Sequence, residues 1–233
     1  MPTPHLLRVG SRAVAVPEET WLQWYLEEHI RDMVHFRVSK TAAFYRSASE
    51  IFHSDAHMAE EDTDRMSFFA LYQTKRKRCL ESPEFKDHVR QETGLWQPGL
   101  RGRDVGEFAI GEFTLVEVLG SYEYNEQVAP HIIYVKLVGE EVTGKIQFEH
   151  VNAVSILHGY RRTLLYRPQD EQEQASSVVL IHEFETLDSS NLPFVKQEME
   201  TIEPTKDCPF QLRSFELLDS EGFDGRCKTP ERL

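Results

Sequence analysis

Apolar and polar positions along the chain follow one pattern twice. The first copy runs through His5-Leu6-Leu7-Arg8-Val9, a helical stretch ending at Glu28-His29, and an apolar run from Val38 to Tyr45. The second runs through His131-Ile132-Ile133-Tyr134-Val135, then Glu149-His150, then Tyr160 to Tyr166. In both, the histidine of a Glu-His pair stands sixteen residues ahead of the tyrosine of a Tyr-Arg pair, Tyr45-Arg46 or Tyr166-Arg167. The copies are offset by 121 residues at the histidine and at the tyrosine alike. Agreement in register, with apolar flanks on both sides, points to an internal duplication.

The same elements are predicted within each copy. Runs of strand length and composition cover Leu6 to Val9, Ser39 to Arg46, Met66 to Tyr72 and Phe113 to Leu119. Their counterparts are Ile132 to Val135, Tyr160 to Arg167, Ser177 to Glu183 and Leu212 to Leu218. Helices are predicted over 18–34, where Pro17, Glu18, Glu19 and Thr20 supply start signals, and over 83–92 and 192–201. In the first, Leu22, Tyr25, Leu26, His29, Ile30 and Met33 form one stripe at helical spacing that must face a sheet. Ile146, His150, Val151 and Val154 hold the matching places in copy two.

Strand-helix-strand-strand-helix-strand, read twice, is the split βαβ plan of an α+β, ferredoxin-like unit. The expected division is a first unit over 1–122 with inserted loops at 47–65 and 94–108, a second unit over 130–222, and a tail over 223–233. Residues 121–130, acidic and ending in Pro130, read as the linker. Two helices cover one face of each four-stranded sheet. The other face stays apolar, so the two units are expected to pack sheet to sheet, or curl into a barrel, within one chain.

Composition narrows the function. The chain has 233 residues, 40% of them hydrophobic, and a formal net charge of −13, which argues against a nucleic-acid partner. The single basic run, Lys75 to Arg78, reads as a solvated surface. No apolar stretch reaches membrane-spanning length, and the first residues lack a secretory pattern. Three cysteines without metal-like spacing read as free thiols in a reducing compartment, so the cytoplasm is expected. There is no Gly-x-Gly-x-x-Gly before a helix, no phosphate-binding loop, no nucleophile elbow and no Cys-x-x-Cys. No cofactor is expected. His53 and His57 are spaced for a metal on a helix, but no third ligand is specified and no metal site is assigned.

Trp24-Tyr25-Leu26-Glu27-Glu28-His29-Ile30 resembles the Trp-Tyr-x-x-Glu-His-hydrophobic signature of EthD-like proteins in the dimeric α+β barrel superfamily. Gly159-Tyr160-Arg161-Arg162-Thr163 followed by Tyr166 resembles the second-strand signature of the same group, in the tandem form common in fungi. The resemblance covers most of the chain. It implies an intrachain dimeric α+β barrel with a pocket between sheet and helices, where histidine and tyrosine transfer protons. Copy two departs from it, with Lys145 and Ile146 in place of Trp24 and Tyr25, so the better site is expected in copy one.

The expectation is therefore a lyase or isomerase, a cyclase or dehydratase of an aromatic or polyketide-like metabolite in secondary metabolism. His29 would move the proton and Tyr25 or Tyr72 would support the developing oxyanion. Trp24, Met33, Phe68 and Trp96 would wall the substrate, and His150 and His182 would serve a second pocket. His29 alone also reads as a hydrogen-bonded core residue, and Tyr72 as a core aromatic. Glu28 is expected to face solvent. Arg161 and Arg162 alternate across a strand, so one needs a buried anion. The expected partner is a hydrophobic or aromatic small molecule, with a homodimer as a further expectation. A cofactor-free monooxygenase of a phenolic substrate, a haem-bound form and a non-catalytic binding or stress-response module are the rivals.

Overall fold

The computed structural model describes residues 3–48, 52–53, 66–88, 95–97, 99–120, 127–138, 146–170, 177–188, 191–201 and 210–223. For residues 52, 53, 88, 146–149 and 201 it describes the backbone alone. The elements in order are β1 (His5–Ala13), α1 (Glu18–Trp24), a π turn (Tyr25–His29), α2 (Ile30–His35), β2 (Thr41–Ser47), β3 (Phe52–His53) and β4 (Phe68–Thr74). Then follow α3 (Pro83–His88), α4 (Gly102–Val105), β5 (Gly106–Gly120), β6 (His131–Val138) and α5 (Ile146–Ser155). The chain closes with β7 (Tyr160–Pro168), β8 (Ser177–Phe184), α6 (Asn191–Thr201) and β9 (Phe210–Glu221).

Eight strands pair in the order β2-β4-β1-β5-β7-β8-β6-β9, and β9 pairs back onto β2. Every pairing is antiparallel, so the protein is a closed α+β barrel without a free edge in the ring. Strand alternation divides the apolar residues into three cores. Leu6, Tyr45, Phe69, Phe113, Tyr134, Leu164, Ile181 and Phe215 point inward and fill the barrel. Their outward neighbours on β1, β2 and β4, such as Leu7, Phe44 and Phe68, pack under α1 and α2. Ile133, Leu165, Leu180 and Leu212 pack with Val154 and Met199 of α5 and α6.

Several boundaries differ from the sequence reading. Within 47–65, β3 pairs with Gln211 and Leu212 of β9; His57 and the acidic residues around it lie outside the described residues. The stretch expected to be an irregular loop over 94–108 contains α4 and the start of β5, which is far longer than Phe113–Leu119. Val128 and Ala129, assigned to a linker, are buried in the barrel core. Their carbonyls accept from Arg161 Nη1 and from the Tyr45 hydroxyl. A shift in register between Tyr160 and Arg162 on β7 lets both arginines be buried. Arg161 pairs with Glu185, and Arg162 Nε donates to Glu183 Oε2 at 2.7 Å. Gly159, just before β7, has φ +79°, and a Cβ there would lie 2.5 Å from the Thr186 carbonyl, so glycine is required. Among the described residues no helix is long and apolar enough to cross a membrane.

Candidate functional site

An aromatic cluster sits between the first helix and the outer face of β1 and β4. The buried positions on that helix are Trp21, Tyr25, Ile30 and Met33, with steps of four, five and three residues. The step of five is the π turn, in which the Ile30 amide donates to the Tyr25 carbonyl. An unbroken α-helix would carry His29 into the buried stripe, as the sequence suggests. The extra residue puts Ile30 there and leaves His29, half-buried, on the wall of a cavity of about 320 Å³. Glu28 lines the same cavity instead of facing away from it.

His29 is held among rings. It stacks on Trp24 at 4.2 Å between centroids and meets Tyr25 and Tyr72 edge-on at 5.0 Å and 6.0 Å. Trp96 comes over the top, 5.2 Å from Trp24, so all three tryptophans of the chain meet here, with Trp21 beneath. Trp24, His29, Met33, Tyr72 and Trp96 line the cavity. Tyr25 and Phe68 do not. Tyr25 stacks on Phe44 at 4.1 Å, and Phe44 on Phe68, so both form a second layer behind the wall.

The Tyr72 hydroxyl is an unsatisfied polar group of a cavity-lining residue. It is fully buried, and no hydrogen-bond partner meets it among the described residues. Burial pushes its acidity down, and the nearby Tyr25 phenol reinforces the effect, so Tyr72 stays a neutral O–H donor. Burial raises the Tyr25 pKa as well, with Ser11 opposing as a hydrogen-bonding neighbour, although neither hydroxyl reaches the geometry of a formed bond. A buried donor without a partner, on a cavity wall, is a place for a ligand oxygen or a water.

His150 and His182 sit in the second half and are turned on each other, Nε2 to Nε2 at 3.3 Å, both fully buried. Tyr160 gives its one proton to the Leu119 carbonyl, so Thr163 Oγ1 donates to Tyr160 and accepts from His182 Nδ1 at 2.8 Å. His182 Nε2 then accepts from His150 Nε2. Burial holds the His150 pKa down at about 4, and burial with the neighbouring imidazole holds that of His182 well below the usual histidine value. His150 Nδ1 has no hydrogen-bond partner among the described residues.

Sequence reasoning missed the mouth of the first cavity. Glu28 and Asp32, one helical turn apart, line it together with Arg101 and Arg103 of the segment before β5. The spacing of the two acids was visible in the sequence. That the two arginines would line the same cavity was not.

The closed α+β barrel is similar in fold to the dimeric α+β barrel proteins. No family model matches the chain, and no curated protein matches it significantly. Solved structures share the fold. A candidate monooxygenase from Fusobacterium nucleatum subsp. nucleatum is similar over 100% of both chains, with 12% identity and a TM-score of 0.53. A candidate chlorite dismutase is similar at 13% identity over 93% of this chain and 96% of its own, with a TM-score of 0.53. A DypB variant from Rhodococcus jostii RHA1 in complex with heme is similar at 9% identity over 93% of this chain and 94% of its own, with a TM-score of 0.56. Identities this low carry the fold alone. The haem of that DypB complex has no matching cradle among the described residues here. A cavity of about 320 Å³ lies at the low end for organic ligands and suits two or three fused rings, not a porphyrin. His150 and His182 offer it no opening either.

Proposed function

We propose that this protein is an enzyme of small aromatic metabolites, with its site in the cavity under the first helix. The observation that carries the reading is the unpartnered, buried Tyr72 hydroxyl on the same wall as His29. A planar ligand lies in the cavity against Trp24 and Trp96 and presents a carbonyl or phenol oxygen to Tyr72. His29 removes a proton from the adjacent carbon or hydroxyl, and the Tyr72 O–H stabilises the resulting enolate or phenolate oxygen. Tyr25 acts from behind, holding the His29 ring edge-on. That proton returned to a different carbon gives an isomerase; attack of the enolate carbon on a ketone carbon of the same molecule, with the proton passed to the new alkoxide, gives a cyclase; departure of a β-hydroxyl as water, carrying that proton, gives a dehydratase. The test is turnover of phenolic and polyketide-like substrates by wild type, His29→Ala and Tyr72→Phe. Undiminished turnover in the folded His29→Ala protein removes the mechanism.

The monooxygenase reading is favoured by the candidate monooxygenase that shares the fold over the full length of both chains. It begins with the same deprotonation, after which the electron-rich anion meets oxygen. Oxygen uptake matched to substrate loss selects it over the lyase or isomerase.

The finer family and domain assignments belong to this proposal as well. Within each half the strand order is fourth, first, third, second, which supports two tandem ferredoxin-like units of EthD-like type. A cytoplasmic location and a homodimer complete it, the latter tested by molar mass in solution.

A further inference from the structure

Arg8 is a buried cation with no countercharge among the described residues. It is 7% exposed and alternates with the outward Leu7, so it points into the barrel, where its side chain meets Tyr134. The buried Arg161 and Arg162 each hold a carboxylate, from Glu185 and Glu183. Arg8 forms no such pair with a described residue. Its Nη1 donates to the Tyr134 hydroxyl at 2.7 Å, and its Nε is buried without a partner. Interiors rarely hold an ion that way, because desolvating a charge costs far more than unpaired burial returns.

A count of donors sharpens the anomaly. A guanidinium has five N–H groups and accepts nothing, so the bond runs from Arg8 to Tyr134 and the phenol keeps its own proton to give. That proton meets no acceptor among the described residues. Two donors on β1 and β6, strands that are not neighbours in the ring, therefore share one unmet demand. The Phe113 and Tyr134 rings lie 5.4 Å and 5.7 Å from the guanidinium carbon, and ring faces attract a cation without serving its in-plane N–H groups. Gly111 stands opposite Arg8 on β5, where a Cβ would lie 3.3 Å from Nη2. Arg213, opposite Tyr134 on β9, brings a second buried guanidinium, whose Nη2 donates to the Met66 carbonyl and to Ser47 Oγ.

We propose that the barrel interior at Arg8 binds a small oxyanion, a carboxylate or inorganic phosphate, through the unused N–H groups of Arg8 and the O–H of Tyr134. The forked guanidinium edge matches two oxygens of either group, and the phenol supplies a third bond. The occupant is small, because Phe69 packs at 5.2 Å on Tyr134 and at 4.4 Å on Phe215 around it. The site is distinct from the cavity under the first helix, whose Leu7 and Tyr72 stand on the outer face of the same strands. It does not rest on the reaction proposed above.

Isothermal titration of the full chain with sodium acetate and with sodium phosphate, at ionic strength held constant with NaCl, tests it. One of the two anions is expected to bind at one site per chain. Arg8→Met is expected to weaken it about tenfold or more, and Tyr134→Phe, which keeps the charge and the ring, about three- to tenfold. Tyr134→Phe carries the test alone if Arg8→Met fails to fold. Tyr72→Phe is expected to bind as wild type does. Tighter binding of acetate assigns the site to an organic acid, and tighter binding of phosphate to inorganic phosphate. Absence of binding by both anions, wild-type affinity in the folded Arg8 and Tyr134 variants, or loss of binding in Tyr72→Phe overturns the proposal.

Discussion

Replacing Tyr72 by Phe removes one oxygen from the wall of the cavity and nothing else. That oxygen is fully buried and meets no partner among the described residues. A buried polar group left unpaired costs about 1–3 kcal/mol, and a water entering the cavity recovers part of it, so Tyr72→Phe is expected to stabilise the protein by about 1–2 kcal/mol. Ionisation offers the phenol no escape, because burial holds it protonated. For a chain of this length the gain corresponds to a rise in Tm of about 2–8 °C. Urea unfolding followed by tryptophan emission measures it, since all three tryptophans report from the same cluster. The same substitution removes the donor that meets the developing oxyanion and is expected to lower kcat by about a hundredfold. A gain in stability paired with a loss of turnover marks a group kept for function. A Phe variant that is less stable by about 1 kcal/mol refutes the reasoning, because the hydroxyl would then hold a partner worth keeping.

Gly106→Ala puts a Cβ 2.2 Å from the Trp21 ring, which is rigid and buried; a loss of about 1–3 kcal/mol or more in urea unfolding is expected, with disturbed emission from the cluster. His150 and His182 have depressed pKa values in the folded state, so the unfolded chain takes up more protons below about 6.5 and stability falls as pH drops from there toward 4. Each contributes up to about 1.4 kcal/mol per pH unit in that window, and His150→Gln is expected to flatten the slope measured at pH 7 and pH 5. Glu183→Gln strands the buried Arg162 cation and is expected to cost about 3–5 kcal/mol, whereas Arg162→Met with Glu183→Leu stays near wild type, a contrast read in one set of denaturation curves.

The strand half of the fold was legible because inward and outward residues alternate visibly, as in Phe68, Ala70 and Tyr72 against Phe69 and Leu71. The bare sheet faces also demanded a partner, which is why a barrel could be expected at all. β5 was the exception. The sequence reading started that strand only at Phe113, yet Gly111 is a strand residue opposite Arg8 whose missing Cβ makes room for the Phe113 ring. The π turn was illegible for a different reason. Sequence periodicity assumes 3.6 residues per turn, so it located the right helix and placed Ile30 and Met33 correctly, but set His29 on the same sheet-facing stripe and left core and pocket open for it. The mouth arginines were illegible because their relation to Glu28 and Asp32 spans some seventy residues and depends on where α4 folds back.

The two helix-covered faces of the barrel differ at a few matched positions, and those differences locate the function. Tyr72 stands opposite Leu7 on one neighbouring strand and Ala42 on the other. His182 stands opposite Ile133 and Thr163 in the same arrangement, and Ala42 and Thr163 are separated by the same 121 residues as His29 and His150. Ala42 offers the Tyr72 hydroxyl no acceptor. Thr163 offers one to His182, fixes its tautomer, and aims its free nitrogen at His150. The helices complete the contrast. α5 is regular through its described span and carries His150 fully inside, whereas the π turn lifts His29 to the rim of an open cavity. On one face both ring nitrogens of His182 are engaged within the chain, although His150 Nδ1 is left without a partner among the described residues. The other sets the unpaired Tyr72 hydroxyl beside His29 where both residues line a cavity, and a ligand oxygen entering there would offset its cost to stability.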